Sequence, residues 1–401
     1  MIGVEYREGE LFCEGVRLSA IAEEVETPCY VYSRAAIVDR YRRLVSAWPP
    51  ERRPAIAYAM RVNPSRAILS VLDASEAWVS LTSGMEMMQA FRARFSPGRM
   101  IFSGLARSED EIRMALAKEL YLIVADSRSD LDRLSRLAVD ARTRARTAIR
   151  VHLPGGPPSK VGIPIGQAEE VCRHAADTDG LEVVGLHLYM GHHLSGPEEF
   201  TDALTPVLDL VDRLGAAGVM MTVLDLGSAV GALLEDPSFC SSVAAQVGSR
   251  PLRLVVEPGR TLVGHAGVLV TRVDNLKESR EKRYLVTDAS MTDLLTPALF
   301  GTEHDIVPVR EFEPPDAPLF DVVGPHYETA DVLGTGRALA GVVPGDLLCV
   351  RDAGAFGRAM SMNLGMRPRP AEVLVDEVRF HVIKRRETFQ DIVRTETDVL
   401  A

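Results

Sequence analysis

Between residues 55 and 257 eight short apolar or β-branched runs recur, and each is separated from the next by a stretch with helical spacing. The runs are AIAYAM (55–60), WVSLT (78–82), RMIFS (99–103), YLIVA (121–125), TAIRVHL (147–153), VVGLHLY (183–189), TVLDL (222–226) and LRLVVE (252–257). Strands joined by crossover helices lie parallel, and eight of them predict closure into a (β/α)8 barrel of TIM type rather than an open sheet. One connecting stretch, SEDEIRMALAKEL, carries its own start signal: Ser108 with Glu111 three residues on, the pattern of a capping box.

Past about residue 265 the texture changes to alternating strands and Pro/Gly turns: GVLVTRV, YLVTDA, LFDVVGP, GDLLCVRDAG, AEVLVDEV and RFHVIKR. This reads as an antiparallel β domain, and the β-like first 30 residues are assigned to it. The expected division is therefore a barrel over 31–265 and a β domain made of 1–30 and 266–401. A chain of 401 residues is long enough for both.

The formal net charge of −11 is spread along the chain, which argues against nucleic acid or an anionic membrane as partner and favours a small polar ligand. Five cysteines (Cys13, Cys29, Cys172, Cys240, Cys349) without CxxC spacing indicate neither a disulfide framework nor a zinc cluster, as expected in a reducing cytoplasm. There is no apolar run of about 18 residues, so no membrane span is expected. Cytoplasmic location is the corresponding expectation.

Working residues of such a barrel sit at the C-terminal ends of its strands. That rule selects Arg61, Ser83, Ser103, His152, Tyr189 to His193, Gly227 to Gly231, and Glu257 to Arg260.

Many ordered strings then carry a resemblance: TPCYVYSRAAI, AYAMRVNPS, SKVGIP, GLHLYMG, DLGSAVG, EPGRTLV, VTDASMTDLLTPALF, VVGPHYETADVLG and RDAGAFGRAMSMNLGMRPRPAEVL. Together they resemble the family of diaminopimelate, ornithine and arginine decarboxylases, fold-type III pyridoxal-phosphate enzymes on an alanine-racemase-like barrel. The resemblance implies that Glu257 pairs with the pyridine nitrogen of the cofactor. It implies too that Gly227, Ser228, Gly259 and Arg260 lie on the loops that cup the phosphate, and that Tyr189 stands where the family has the second histidine of HxHIGS. Glu328, beside Tyr327 and followed by Asp331, matches the acidic residue that reaches the active site from a partner subunit, which implies a homodimer with a shared site.

Several matched positions depart from the family. Arg61 replaces the lysine of the Schiff base, Tyr327 the cysteine of CESxD, and Phe356 the tyrosine of DAGAYG. Thr296 and Phe300 replace the arginine and tyrosine of RPALY, through which the family grips diaminopimelate. A guanidinium stays protonated at neutral pH and is no nucleophile. The only lysines are Lys118, Lys160, Lys277, Lys282 and Lys384, none at the Schiff-base position.

Pyridoxal phosphate bound covalently is therefore not expected, whereas noncovalent pyridoxal phosphate or another phosphorylated ligand fits. The leading expectation is a divergent, pyridoxal-phosphate-independent enzyme of specialised metabolism that binds a small amino-acid-like or phosphorylated ligand through Arg61, His192, Glu257, Arg260 and Glu328, with Arg61, His192, Glu328 and Tyr327 as the catalytic candidates. Two alternatives stand beside it: a pyridoxal-phosphate-dependent amino-acid decarboxylase with unorthodox cofactor anchoring, and a catalytically inactive regulatory paralogue resembling the antizyme-inhibitor branch. His187, His192, His193 and His326 could ligate zinc or iron(II), or one could act as base. Their spacing matches no compact metal signature, so ordinary hydrogen-bonding roles are expected and no metal is assigned.

Overall fold

The computed structural model describes residues 3–153, 159–191, 196–279, 282–312, 319–339 and 341–397. It divides into two compact units: Arg40–Thr261, and Met1–Asp39 together with Leu262–Ala401.

The first unit is a closed barrel of eight parallel strands: β1 (Ala55–Ala59), β2 (Trp78–Leu81), β3 (Met100–Phe102), β4 (Leu122–Ala125), β5 (Ala145–His152), β6 (Leu181–Tyr189), β7 (Val223–Asp225) and β8 (Arg253–Val256). Each pairs with its neighbours in chain order, and β8 closes on β1 through Val255 and Val256 against Ala55 and Ile56. Every apolar run read from the sequence corresponds to one of these strands. The capping box is formed as well, with Ser108 accepting from the Glu111 amide and the Glu111 side chain accepting from the Ser108 amide.

Strand period and register give the barrel interior its layering. Ala57, Trp78, Ile101, Val124, Val223 and Val255 contribute to one buried apolar cluster. Below it the guanidinium of Arg253 stacks 4.7 Å from the Trp78 ring. In a strand, residue i+2 points to the same side as residue i. Two positions on from members of this cluster stand Ser80, Ser103, Asp126, Arg150 (from Ala148), Asp225 and Glu257. The apolar plug is thus surmounted, toward the C-terminal strand ends, by a layer of polar side chains.

The second unit centres on the strand Cys29–Ser33, buried throughout and flanked by Gly267–Ser279 on one side and Ala371–Asp376 on the other. Its sheet is mostly antiparallel, but the pairing of Cys29–Ser33 with Ala371–Asp376 is parallel, as is that of Lys282–Thr287 with Leu319–Val323. The cut at residue 31 read from the sequence would fall within the strand Cys29–Ser33. A small antiparallel sheet, Val4–Arg7, Glu10–Cys13 and Val16–Arg17, precedes it. Leu11, Leu18, Ile21, Val31, Val270 and Val373 share its core, each worth about 1.5–3 kcal/mol when fully buried. The strand Val332–Ala338 escaped the sequence reading because its residues, VLGTGRA, show little apolar alternation. All five cysteines are buried and unpaired. No described helix is long and apolar enough to cross a membrane.

Candidate active site

Three neighbouring strands place Arg150, His187 and Asp225 side by side, His187 being in register with Arg150 on β5 and with Asp225 on β7. Glu257 lies just beyond the end of β8. All four are nearly or wholly buried. Burial of four ionisable groups at one level is costly unless they satisfy one another, and the contacts show how far they do. Arg150 Nη1 donates to Asp126 Oδ1 (3.0 Å), its Nη2 to the Ser103 carbonyl (2.7 Å), and its Nε to His187 Nδ1 (3.4 Å). His187 Nε2 lies 3.6 Å from Glu257 Oε2. Asp225 Oδ1 accepts from the Gly227 amide (2.9 Å). Glu257 Oε1, Asp225 Oδ2 and His187 Nε2 are buried without a hydrogen-bond partner among the described residues.

The two carboxylates divide one proton between them. Burial, reinforced by the neighbouring Glu257, pushes Asp225 up to about 7. Burial acts on Glu257 in the same direction, but the facing His187 ring, together with Arg61 and the Ser80 hydroxyl, outweighs it and holds Glu257 low. Glu257 is the ionised member at neutral pH, and Asp225 is the one that takes up a proton.

One atom each of His187, Asp225 and Glu257 lie within 4.8 Å of one another, a spacing a metal ion could bridge. The Nε–H of Arg150 can only donate, and His187 Nδ1 faces it at 3.4 Å.

Arg61 is carried on a short 3-10 turn, Met60–Val62, directly after β1, and its Nη2 donates to Ser228 Oγ (3.3 Å). The loop after β8 packs on this turn: the Pro258 carbonyl accepts from the Ala59 amide (3.0 Å), and a Cβ on Gly259 would lie 2.7 Å from Val62 Cγ1. Gly227 has φ +69°, and a Cβ there would meet the Leu188 carbonyl at 2.5 Å. At both positions a side chain would collide with the protein's own atoms, so the two loops pack tightly only around glycine. Ser228 and Arg260 are exposed beside them, and half-buried Tyr189 ends β6, its ring 6.0 Å from that of His152. Arg61, Glu257, Gly227, Ser228 and Gly259 are therefore gathered in one place. His192 and His193 lie outside the described residues.

The remaining sequence candidates belong to the second unit. Tyr327 and Glu328 are exposed on the turn between the strands Leu319–Val323 and Val332–Ala338. Asp331 braces that turn, taking the Met291 amide on Oδ1 (2.7 Å) and the His326 amide on Oδ2 (2.8 Å). His326 reaches Thr292 through Nε2 (3.3 Å) and joins no metal-spaced cluster among the described residues. Thr296 is buried and bonded to His304 Nε2 (2.8 Å), while His304 Nδ1 meets the Arg351 carbonyl (2.8 Å). Phe300 is exposed, with the Phe356 ring 6.1 Å away edge-on.

Arg150, Asp225 and Asp126 were missed in the sequence. A signal was present, since each interrupts or ends an otherwise apolar strand run, where an ionisable side chain needs a buried partner.

A family model described as "Pyridoxal-dependent decarboxylase, pyridoxal binding domain" matches residues 34–264. The diaminopimelate decarboxylase of Pseudomonas aeruginosa is 38% identical over 98% of this chain and 98% of its own length. That of Neisseria meningitidis serogroup A is 35% identical over 96% of this chain and 98% of its own. Among solved structures, diaminopimelate decarboxylase from M. jannaschii superposes with a TM-score of 0.93 at 26% identity, covering 99% of this chain and 98% of the other; a co-complex of that enzyme with L-lysine matches equally. These findings overturn the expectation of a pyridoxal-phosphate-independent enzyme. The physical reason is that the buried carboxylate Glu257 and the tight glycine turns at 227 and 259 stand together at the C-terminal strand ends, where such a cofactor would be held.

Proposed function

The chain belongs to the pyridoxal-dependent decarboxylases, and we propose that it is a pyridoxal-phosphate-dependent amino-acid decarboxylase that holds its cofactor without a lysine bond. The observation that carries this reading is Glu257: buried, ionised at neutral pH and with Oε1 unpartnered, it suits a pyridinium N–H. The backbone at Gly227 and Gly259, with Ser228 and Arg260, would receive the phosphate. When bound, the cofactor supplies the electron sink that a departing carboxylate requires.

The chain's own residues set the conditions for that chemistry. Glu257 keeps its negative charge although buried, because His187, Arg61 and the Ser80 hydroxyl offset the cost of burial, and it would hold the ring nitrogen of the cofactor. Arg61, in place of an amine, presents a planar fork of donors that can orient a carboxylate or phosphate but cannot form an imine. The primary amine has to arrive with the substrate. Thr296 places no cation where the family holds a second carboxylate, and its hydroxyl is committed to His304. The substrate class proposed is thus an α-amino acid without a distal carboxylate, rather than diaminopimelate.

A homodimer is the proposed assembly. Full exposure of Tyr327, with Glu328 and Phe300 also exposed, supports a role for these residues against a second copy.

The test is release of carbon dioxide from a panel of L-amino acids by the purified full chain, with and without added pyridoxal phosphate. Cofactor-dependent release matched by an equal amount of amine is expected. Absence of release from every amino acid, together with no binding of pyridoxal phosphate, would sink the proposal.

A further inference from the structure

The row across β5, β6 and β7 contains a residue whose chemistry reaches beyond its own contacts. Arg150 is buried and has three fixed acceptors: Asp126 Oδ1, the Ser103 carbonyl and His187 Nδ1. Asp126 is itself held in place, since its Oδ1 also accepts from the Gly162 amide (3.1 Å). The guanidinium plane therefore has little freedom, and the direction of its Nε–H is set by the two bonds at the other end of the fork.

His187 has two possible neutral forms, and the contact with Arg150 distinguishes them. With hydrogen on Nδ1, two N–H groups would oppose each other across 3.4 Å. With hydrogen on Nε2, Nδ1 accepts from Arg150 and the Nε2–H faces Glu257 Oε2. Only the second arrangement leaves every donor opposite an acceptor.

We propose that Arg150 is a positioning residue: it fixes the proton of His187 on Nε2, and that N–H points at Glu257 Oε2, 3.6 Å away, while Oε1 stays free for a ligand N–H. Arg150 then donates to Asp126 on one side and to His187 on the other, and His187 turns its own N–H toward Glu257. Glu257 keeps its orientation without the ligand, so no reorganisation is required on binding. Without Arg150, His187 can present either nitrogen to Glu257, and in one of its two forms a lone pair faces the carboxylate. The purpose assigned to Glu257 rests on the cofactor reading above; the tautomer does not.

The experiment is nitrogen-15 NMR of the histidine rings in the full chain, with the His187 signals identified by their loss in His187→Gln. Expected in the unaltered protein is a pyrrole-type Nε2 and a pyridine-type Nδ1 for His187, both before and after addition of pyridoxal phosphate. Arg150→Met should let the two forms interconvert and weaken pyridoxal-phosphate binding about tenfold, whereas Arg150→Lys, which keeps a donor, should recover most of the tautomer preference. Hydrogen on Nδ1 of the unaltered protein overturns the inference, and that measurement needs no variant to fold. Should the Nε2 form be found while pyridoxal phosphate fails to bind, the cofactor reading falls and the positioning role of Arg150 stands.

Discussion

The amide of Glu257 donates to the carbonyl of Gly227 over 3.0 Å, joining the loops that follow β7 and β8. Because Gly227 also donates its own amide to Asp225, this one glycine ties both carboxylates of the polar layer to the backbone. Gly227→Ala would place a methyl group 2.5 Å from the Leu188 carbonyl at a φ of +69°. The expected cost is about 1–3 kcal/mol of stability, with a loss of pyridoxal-phosphate affinity. Gly215→Ala is the matched control: its Cβ meets nothing within 4 Å and φ is ordinary, so a gain of roughly 0.4–1 kcal/mol is expected. Denaturant unfolding of both variants reads the contrast, and equal effects would refute it.

Asp225 should make stability depend on pH between about 4 and 7. Its folded-state value is raised, first by burial and next by Glu257, to about 7. A raised carboxyl value means that the protonated form is favoured in the folded state. That contribution is complete at pH below the ordinary carboxylate range and is lost as pH rises through about 7. Asp225→Asn retains an acceptor for the Gly227 amide and cannot ionise. Relative to the unaltered protein it should gain in melting temperature as pH goes from about 4 to 7. Parallel melting curves across that window would show that Asp225 does not carry the proton.

The barrel was legible because each strand is a run of apolar residues punctuated by helix signals, information that lies within a few residues of chain. The carboxylate Glu257 and the glycines 227 and 259, which the structure brings together, were legible through motif strings. What could not be read was register. Arg150, His187 and Asp225 are 37 and 38 residues apart along the chain and meet only because β5, β6 and β7 align them. A resemblance to a family also misled in one respect: it weighed the missing lysine above the retained pocket, although binding depends on many contacts and the imine on only one.

The buried ion pair between Arg107 and Asp130 supports the same end of the barrel. Arg107 is fully buried, donates to the Phe102 carbonyl (3.3 Å) and stacks 5.3 Å from the Phe102 ring. Asp130 also accepts from the Asp126 amide (3.2 Å), and Asp126 is the residue that anchors Arg150. Removing one partner of such a pair strands the other charge. Asp130→Ala is expected to cost about 3–5 kcal/mol, measured by urea unfolding. A loss under about 1 kcal/mol would mean that water reaches Arg107.

Arg61→Lys restores a primary amine on the turn Met60–Val62, close enough to Glu257 for the guanidinium to help hold that carboxylate ionised. A lysine ammonium can lose its proton and attack an aldehyde; a guanidinium cannot. The substitution also shortens the donor fork, so the contact with Ser228 Oγ should be lost. After incubation with pyridoxal phosphate and borohydride reduction, the unaltered protein should show no phosphopyridoxyl adduct by mass spectrometry. Its cofactor should wash out on dialysis. The variant should retain the cofactor through dialysis and carry a single adduct, at position 61. An adduct on Lys118, Lys160, Lys277, Lys282 or Lys384 in the unaltered protein would instead locate the anchor at that lysine and end the case for noncovalent binding. If neither protein forms an adduct and neither binds the cofactor, the pocket around Glu257 has lost more than its nucleophile.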